Sequence, residues 1–244
     1  MQRIFRRLAS TGLVGMAIAG GALMFADPAL ALSEQQILEK LEGVPVFLIV
    51  NSDGQSLTAS VDAEEDAVEV PIVFLNSVEA ESFLQRAETE GSELAADAQI
   101  AILPLGDVYA EASTQLASPN SLVYIPSASS VQQASQIAEQ EIQGVPLYAA
   151  VDLERQQYLL TGDNTLPMFF SLSDLQSQVS ALVESNPAIE DAIGVEVTTL
   201  ETILGNMAAD DPEVDQVLEL VQFVPSSQTL RYLQSLSEGA EAAE

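Results

Sequence analysis

Carboxylates are the only abundant side chains of this sequence that could do chemistry. The chain has 244 residues, of which 37 are acidic and seven basic, and it contains neither histidine nor cysteine. Without those two residue types, the commonest general base, the usual Ser and Cys triads, thiolate metal sites and disulfides are excluded. Glycine-rich phosphate-binding motifs are also missing from the sequence. The chemistry that remains is carboxylate acid–base catalysis or the binding of a hard cation.

Acidic and oxygen-rich turns are the candidates for such chemistry. Residues 64–66 read Glu-Glu-Asp and could bind Ca²⁺ through oxygen, but the alternating ligand spacing of a calcium loop is missing. Residues 51–54 (NSDG) and 161–164 (TGDN) carry similar oxygens, which a hairpin turn also requires. A hydrolase needs two carboxylates held across a cleft, and no local signature selects such a pair. We therefore predict no catalytic residue, no metal site and no cofactor.

Lys40 is the one lysine of the chain and hence the only candidate for Schiff-base chemistry. It lies beside Glu39 and Glu42 on a predicted helix. We interpret it as a member of a surface ion pair rather than as a reactive group.

The first 31 residues predict a secretory signal peptide. Arg6 and Arg7 belong to a basic segment, residues 13–25 are apolar, and Ala29-Leu30-Ala31 is a cleavage signal. The processed chain should start at Leu32, and we expect it to be exported. The arginine pair leaves the twin-arginine route open beside the general one. No later apolar stretch reaches about 18 residues, so the processed chain should not span a membrane.

The processed chain is strongly acidic. Three of the seven basic residues and only Asp27 of the 37 acids lie in the first 31 residues, which leaves four basic against 36 acidic residues and a net charge of −32. Such a chain repels nucleic acid and anionic lipid head groups, because both bind through basic patches. We predict no nucleic-acid partner.

Three phrases recur in the same order and indicate an internal repeat. They are GVPVFL (43–48) with GVPLYA (144–149), VPIVF (70–74) with LPMFF (166–170), and VYIPSASSVQ (123–132) with QFVPSSQTLR (222–231). The second match equates Pro71 with Pro167. The matches predict a single domain over 32–236 made of two repeats, 33–128 and 129–236, each too long for a solenoid unit. Residues 237–244 are acidic and small, and we predict a disordered tail.

Each repeat contains the same predicted elements: a helix, a strand hairpin, a third strand and another helix. Asn76 with Glu79, and Ser173 with Gln176, are capping pairs at the start of helices. Gly43 is expected to end the first helix in the left-handed conformation, before Pro45. We therefore predict an α+β fold of two modules related by a pseudo-twofold axis, each a small mixed sheet with packed helices.

The predicted strands are unusually apolar. Residues 46–49, 72–74, 147–148 and 168–170 lack polar alternation, which is typical of strands covered on both faces. One interpretation is that they form the core. The other is that part of each run lines a groove that receives an apolar segment of another protein, for which methionine and aromatic residues are suited. On that interpretation the partner-binding residues are Phe74, Met168 and Phe169.

The order and spacing of these phrases resembles the Tic22 family, named for a component of the protein translocon at the inner chloroplast envelope. The segments that carry the resemblance are GVPVF, VPIVFLNSVEAESFLQRAE, ILPLGDVYAEA and GVPLY with LPMFFSLSDLQSQV, within residues 34–236. The resemblance implies an α/β protein with internal twofold symmetry, apolar surface pockets and no catalytic residues. Cyanobacterial relatives are exported to the periplasm or thylakoid lumen and are linked to outer-membrane protein biogenesis. The bacterial type of signal peptide places this chain with them.

The first functional hypothesis is a non-enzymatic exported chaperone or transport factor. It would hold apolar segments of unfolded or translocating envelope proteins and support protein import or outer-membrane biogenesis, with the outer-membrane assembly machinery as a further partner. The alternatives are a carboxylate-based hydrolase and a calcium-binding or structural lumenal protein. A calcium titration by calorimetry would separate the last of these from the others.

Overall fold

The computed structural model describes residues 6–7, 32–62, 67–92, 95, 97–116, 122–209 and 211–241. The predicted signal peptide lies outside the described residues except for Arg6 and Arg7, and so does the acidic segment 64–66. What the sequence predicts for those segments stays a prediction.

Strands and helices alternate along the chain, and the mixture confirms the predicted α+β class. In chain order the elements are β1 (Arg6–Arg7), α1 (Glu34–Glu42), β2 (Pro45–Val50), β3 (Thr58–Asp62), β4 (Ala67–Phe74), α2 (Ser77–Thr89), β5 (Gln99–Pro104), α3 (Leu105–Leu116), β6 (Val123–Ile125), α4 (Ala128–Ala138), β7 (Pro146–Asp152), β8 (Gln157–Tyr158), β9 (Leu166–Phe169), α5 (Leu172–Ser185), a 3₁₀ helix (Pro187–Ala192), β10 (Ile193–Thr199), α6 (Leu200–Ala208), α7 (Pro212–Leu218), β11 (Val221–Val224) and α8 (Ser227–Glu241).

The chain divides into two compact units. Unit 1 comprises Met1–Lys40 and Ala128–Ser226, and unit 2 comprises Leu41–Ser127 and Ser227–Glu244. The border after Ser127 falls one residue before the border drawn from the repeats. Each terminal helical segment is grouped with the sheet of the opposite half of the sequence.

The sheet of unit 2 has the strand order β5-β2-β4-β6, and β3 also pairs with β4. The pairs are antiparallel except β4 with β6. Phe47 lies opposite Phe74, and Phe74 lies opposite Ile125 on its other side. The predicted hairpin after β2 is short. It consists of the bridge between Val50 and Ser56 and the hydrogen bond from the N–H of Leu57 to the carbonyl of Ile49. The residues that follow form β3, which pairs with β4 instead of β2.

The sheet of unit 1 has the strand order β10-β7-β9-β11, with β8 on β7 and β1 on β10. Tyr148 lies opposite Phe169, and Phe169 lies opposite Val224. Strand order, strand directions and register therefore match those of unit 2 in the four shared strands.

The matching registers correct one detail of the repeat. Phe169 occupies in unit 1 the place that Phe74 occupies in unit 2, a separation of 169 − 74 = 95 residues. Equating Pro71 with Pro167 is therefore wrong by one residue. The error matters, because a shift by one residue moves every side chain of a strand to the other face. The pseudo-twofold relation between the modules stays a prediction.

The central strands are buried along consecutive residues. Val46 to Ile49 of β2 and all seven residues of β7 are buried. Since neighbouring residues of a strand point to opposite faces, both faces of these strands are covered, as the sequence predicts. In unit 2, Phe47, Ile49, Phe74 and Ala80 form one apolar cluster.

Helix ends follow the predicted caps in part. The side chain of Asn76 accepts a hydrogen bond from the N–H of Glu79 at 3.0 Å, which confirms that cap. Before α5 the cap is Ser171, which accepts from the N–H of Asp174, and not Ser173.

Helix α8 continues to Glu241, so residues 237–241 are helical rather than part of a disordered tail. None of the described helices combines the length and apolarity needed to cross a membrane.

Candidate functional site

The three residues predicted to bind a partner are buried. Phe74 is 2%, Met168 1% and Phe169 4% exposed. Phe74 packs edge-on against Phe83 of α2, with ring centroids 5.7 Å apart, and Phe169 lies in one cluster with Tyr148. The groove interpretation requires Met168 to be only partly buried, and that requirement is not met. Partner binding by the three residues stays a prediction, and it would require these strands to open.

The large apolar side chains that do reach the surface lie elsewhere. Six are 40–49% exposed: Val78, Leu103, Leu160, Leu182, Leu230 and Leu236. Leu230 and Leu236 lie on α8 and Val78 on α2. Both helices cover the same side of the unit 2 sheet, because Phe83 of α2 and Tyr232 of α8 pack against its Phe47–Phe74 cluster. The outer surface of these two helices is called the helix layer below.

Unit 2 also has a cavity of about 330 Å³ beside the turn that follows β2. Its lining is formed by residues 49–51 and 55–58 together with Asp97 and Ala98. The side chain of Asn51 accepts hydrogen bonds from the N–H groups of Asp53 and Gln55 at 3.1 and 2.9 Å. This is the bonding of a tight turn, which confirms the turn interpretation of residues 51–54.

The second oxygen-rich turn, residues 161–164, is also held by local hydrogen bonds, here from side-chain hydroxyls. Asp163 accepts hydrogen bonds from the hydroxyls of Thr161 and Thr165, and these bonds hold the pKa of Asp163 below its usual value. Across the residues that the structure describes, no three carboxylates lie close enough together to hold a metal ion.

Lys40 forms a different contact from the one expected of it. Its Nζ donates to the backbone carbonyls of Glu219 and Val221 at 2.8 and 2.9 Å, which ties α1 to the start of β11 within unit 1. Burial lowers the pKa of Lys40, and the charge of Glu219 opposes that change. A cavity of about 460 Å³ opens beside it, lined by Gln36, Glu39, Lys40 and Glu219. Its polar lining is suited to water rather than to an apolar peptide.

The second GVP phrase contains an interaction that the sequence did not indicate. Both carboxylate oxygens of Glu201 accept from the N–H of Val145, at 3.2 and 3.0 Å. Gly144 has a φ of +98°, and a Cβ at that position would lie 2.5 Å from Glu201 Oε2. Burial raises the pKa of Glu201, while the hydrogen bonds oppose that shift. By analogy with Gly43, the repeat also predicts that Gly144 ends the helix before it; this is wrong, because α4 ends at Ala138, well before this glycine.

The first GVP phrase is built differently. The N–H of Val44 bonds to the carbonyl of Leu41 at 3.0 Å, at the end of α1, and Gly43 is not in the left-handed region. The prediction that Gly43 ends the helix by a left-handed conformation is therefore wrong. The two phrases do share one hydrogen bond. The carbonyl of Val44 accepts from the N–H of Leu105, and the carbonyl of Val145 accepts from the N–H of Leu200, each at 2.8 Å. Both donors are the first residue of the helix that follows the paired strand.

Other groups with shifted pKa values serve the fold. Tyr158 donates to Glu196 at 2.8 Å, and burial together with that carboxylate raises the pKa of the phenol. Asp152 accepts from the N–H groups of Arg155 and Glu154 at 2.9 Å, and the bond from Arg155 is the main cause of its lowered pKa. Glu196 thus links β10 to β8, which both pair with β7, and Asp152 holds a turn.

Comparisons with known proteins agree with the fold. The model of the Tic22-like family matches residues 14–234. Among solved structures, Tic22 of Anabaena, a protein-transport protein, is 23% identical with a TM-score of 0.65, covering 84% of this chain and 97% of that one. Tic22 from Plasmodium falciparum is 24% identical with a TM-score of 0.60, covering 83% of this chain and 98% of that one. No curated protein matches the chain. Identity at this level shows a shared fold.

Proposed function

Because this chain belongs to the Tic22-like family, we propose that it is an exported protein-transport factor that binds apolar segments of envelope proteins without catalysing a reaction. The observation that carries the proposal is the family match over residues 14–234, joined by the likeness to a protein-transport protein of Anabaena. The predicted signal peptide supports export, to the periplasm or to the thylakoid lumen. The partners are unfolded or translocating envelope proteins, and the role is support of import or of outer-membrane biogenesis.

The helix layer is the surface that suits this role best. Val78, Leu230 and Leu236 are each nearly half exposed on two helices that share one side of a sheet. Burying about 300 Å² of apolar client surface contributes on the order of 7 kcal/mol before the cost of ordering the client. Binding of that strength is weak and reversible, which a factor without ATP requires in order to release its clients.

The test is an aggregation assay. The processed exported protein is mixed with an unfolded outer-membrane barrel protein, and light scattering follows aggregation after the denaturant is diluted. The wild type should slow the rise in scattering. The double variant Leu230→Glu with Leu236→Glu should lose much of that effect, while Leu182→Glu, on a helix of unit 1 with similar exposure, should retain it.

Circular dichroism must show that the variants stay folded, which is expected because exposed substitutions change stability by about 0.5 kcal/mol or less. If the wild type does not slow aggregation at a molar excess, the proposed function is wrong. If Leu182→Glu is as damaging as the double variant, the helix layer is not the contact surface.

A further inference from the structure

Strand β10 lies at the edge of the unit 1 sheet and is only partly covered on its outer side. Its inner side pairs with β7 over all seven residues. On the outer side two residues pair with it in parallel, Arg6 with Gly194 and Arg7 with Val195. For residues 197–199, the described part of the chain contains no strand on that side.

The hydrogen bonds at the ends of the β7–β10 pair show which backbone groups face outward. The N–H of Leu153 bonds to the carbonyl of Ala192, and the N–H of Leu200 bonds to the carbonyl of Val145. In an antiparallel pair, residues bond across the ladder at every second position. Even-numbered residues of β10 therefore bond to β7, and the odd-numbered ones direct their N–H and C=O groups to the edge. These are Ile193, Val195, Val197 and Thr199.

This edge has no blocking residue of the usual kind. Natural sheets protect edges with proline, lysine, bulges or inward charges. The sequence of β10 is IGVEVTT, without proline or lysine, and the carboxylate of its one charged residue, Glu196, is bonded to the Tyr158 hydroxyl. Unpaired backbone groups along such a strand are a template for an added strand, in which main-chain bonds give affinity.

The segment seated on the edge shows which chemistry fits there. It carries two adjacent arginines, and two exposed carboxylates, Glu190 and Asp191, lie in the 3₁₀ helix that leads into β10. The whole chain has a net charge of −30, so a cationic segment is attracted from a distance. If the signal peptide is removed after Ala31 as predicted, Arg6 and Arg7 leave and the whole edge opens.

We propose that the outer edge of β10 is a strand-addition site, which in the processed protein receives an extended segment with adjacent basic residues from a translocating client, in parallel to β10. The occupant takes the place that Arg6 and Arg7 hold in the uncleaved chain. This inference rests on the proposed function and adds a binding mode to it. Recognition is by backbone pairing and charge, separate from apolar contact with the helix layer.

The direct test uses a peptide of stated sequence. The processed exported protein is titrated into a fluorescent peptide with the sequence of residues 1–12, MQRIFRRLASTG, and binding is followed by fluorescence anisotropy. The peptide should bind, and replacing its two adjacent arginines, Arg6 and Arg7, by glutamate should weaken binding by about tenfold or more. N-methylation of single peptide amides should weaken binding at every second position only, because alternate amides face β10. Equal effects at all positions, or no binding, would overturn the proposal.

A protein variant supplies the second arm. Val197→Pro removes an edge N–H and leaves the bonds to β7 in place, so it should weaken peptide binding by about tenfold. Thr198→Ala, on the same strand, alters a side chain and no backbone N–H, and should bind like the wild type. If Val197→Pro unfolds, the N-methyl series still decides the question.

Other occupants give distinct results. A dimer by light scattering that Val197→Pro dissociates would place a second copy on the edge and overturn the assignment to a client. If Val197→Pro loses the peptide yet slows aggregation of the barrel protein as the wild type does, the inference fails while the proposed function stands. A wild type that binds the peptide but does not slow aggregation leaves the edge site intact and removes the proposed function.

Discussion

Substitution of Met168 tests the burial of the strand that the sequence singled out. The side chain is 1% exposed on β9, opposite Phe223 of β11. Complete burial of a methionine contributes about 1.5–3 kcal/mol, and truncation to alanine adds the cost of a cavity. We expect Met168→Ala to lower the free energy of unfolding by about 3 kcal/mol.

Met168→Asp should be far more damaging. A carboxylate without a partner at a fully buried position costs about 4 kcal/mol or more beyond the lost apolar contact. Since domains are stable by about 5–15 kcal/mol, little folded protein should remain. The control is Leu160→Asp in the same unit, where the side chain is 42% exposed. That variant should change stability by about 0.5 kcal/mol or less.

The assay is urea unfolding followed by far-UV circular dichroism, because the chain has no tryptophan to report unfolding by fluorescence. The processed protein and its three variants are compared at one pH and salt concentration. A Met168→Asp variant with the unfolding midpoint of the wild type and weakened client protection would refute the reasoning. Met168 would then line a groove, as the alternative interpretation of the sequence held.

Two further predictions concern a glycine and the tyrosines. Gly144→Ala should lower the free energy of unfolding by about 2 kcal/mol or more, because the φ of Gly144 is +98° and the new Cβ would meet the Glu201 carboxylate. Gly43→Ala is the control in the same urea titration: a Cβ at that position would have no atom within 4 Å, so the free energy of unfolding should change by about 0.5 kcal/mol or less. Burial raises the pKa of Tyr148 to about 12, and the pKa of Tyr158 is raised as well. The contribution of Tyr148 to stability should be complete below about pH 10 and be lost as the pH rises through about 12. Absorbance at 295 nm near pH 11 should therefore show fewer ionised tyrosines in the folded than in the urea-unfolded protein; equal numbers would contradict this burial.

Local patterns in the sequence predicted the features that neighbouring residues decide. Asn76 caps α2 because its side chain needs only the N–H three residues later. The apolar runs of β2 and β7 correctly predict strands that are covered on both faces, because burial of both faces requires an apolar residue at each position. The local pattern predicts Ser173 as the cap of α5 instead of Ser171, because it does not contain the end of the preceding strand, where the N–H of Phe170 still bonds to the carbonyl of Val224 in β11.

Features that depend on residues far apart in the chain could not be predicted from the sequence. The carboxylate of Glu201 lies 56 positions from the N–H of Val145 that it binds, and no local pattern joins them. The alignment of β4 with β9 in the repeat is wrong by one residue, because similarity of the two sequences carries no information on how β4 pairs with β2 and β9 with β7. For the candidate site, an apolar run predicts equally a core strand and a groove, and only the packed neighbours decide which of the two is present.

Helix α8, which follows all the described strands, packs on the sheet of unit 2, and this has a consequence for biosynthesis. The ring of Tyr232 on α8 rests edge-on against Phe47 of β2, with centroids 5.7 Å apart. A ribosome that adds about 5–20 residues per second needs roughly 10–40 s to travel from one to the other. During that interval unit 2 lacks one of the two helices that cover this side of its sheet, because only α2 has been made. The Phe47–Phe74 cluster can therefore reach its final packing only after Tyr232 has been made.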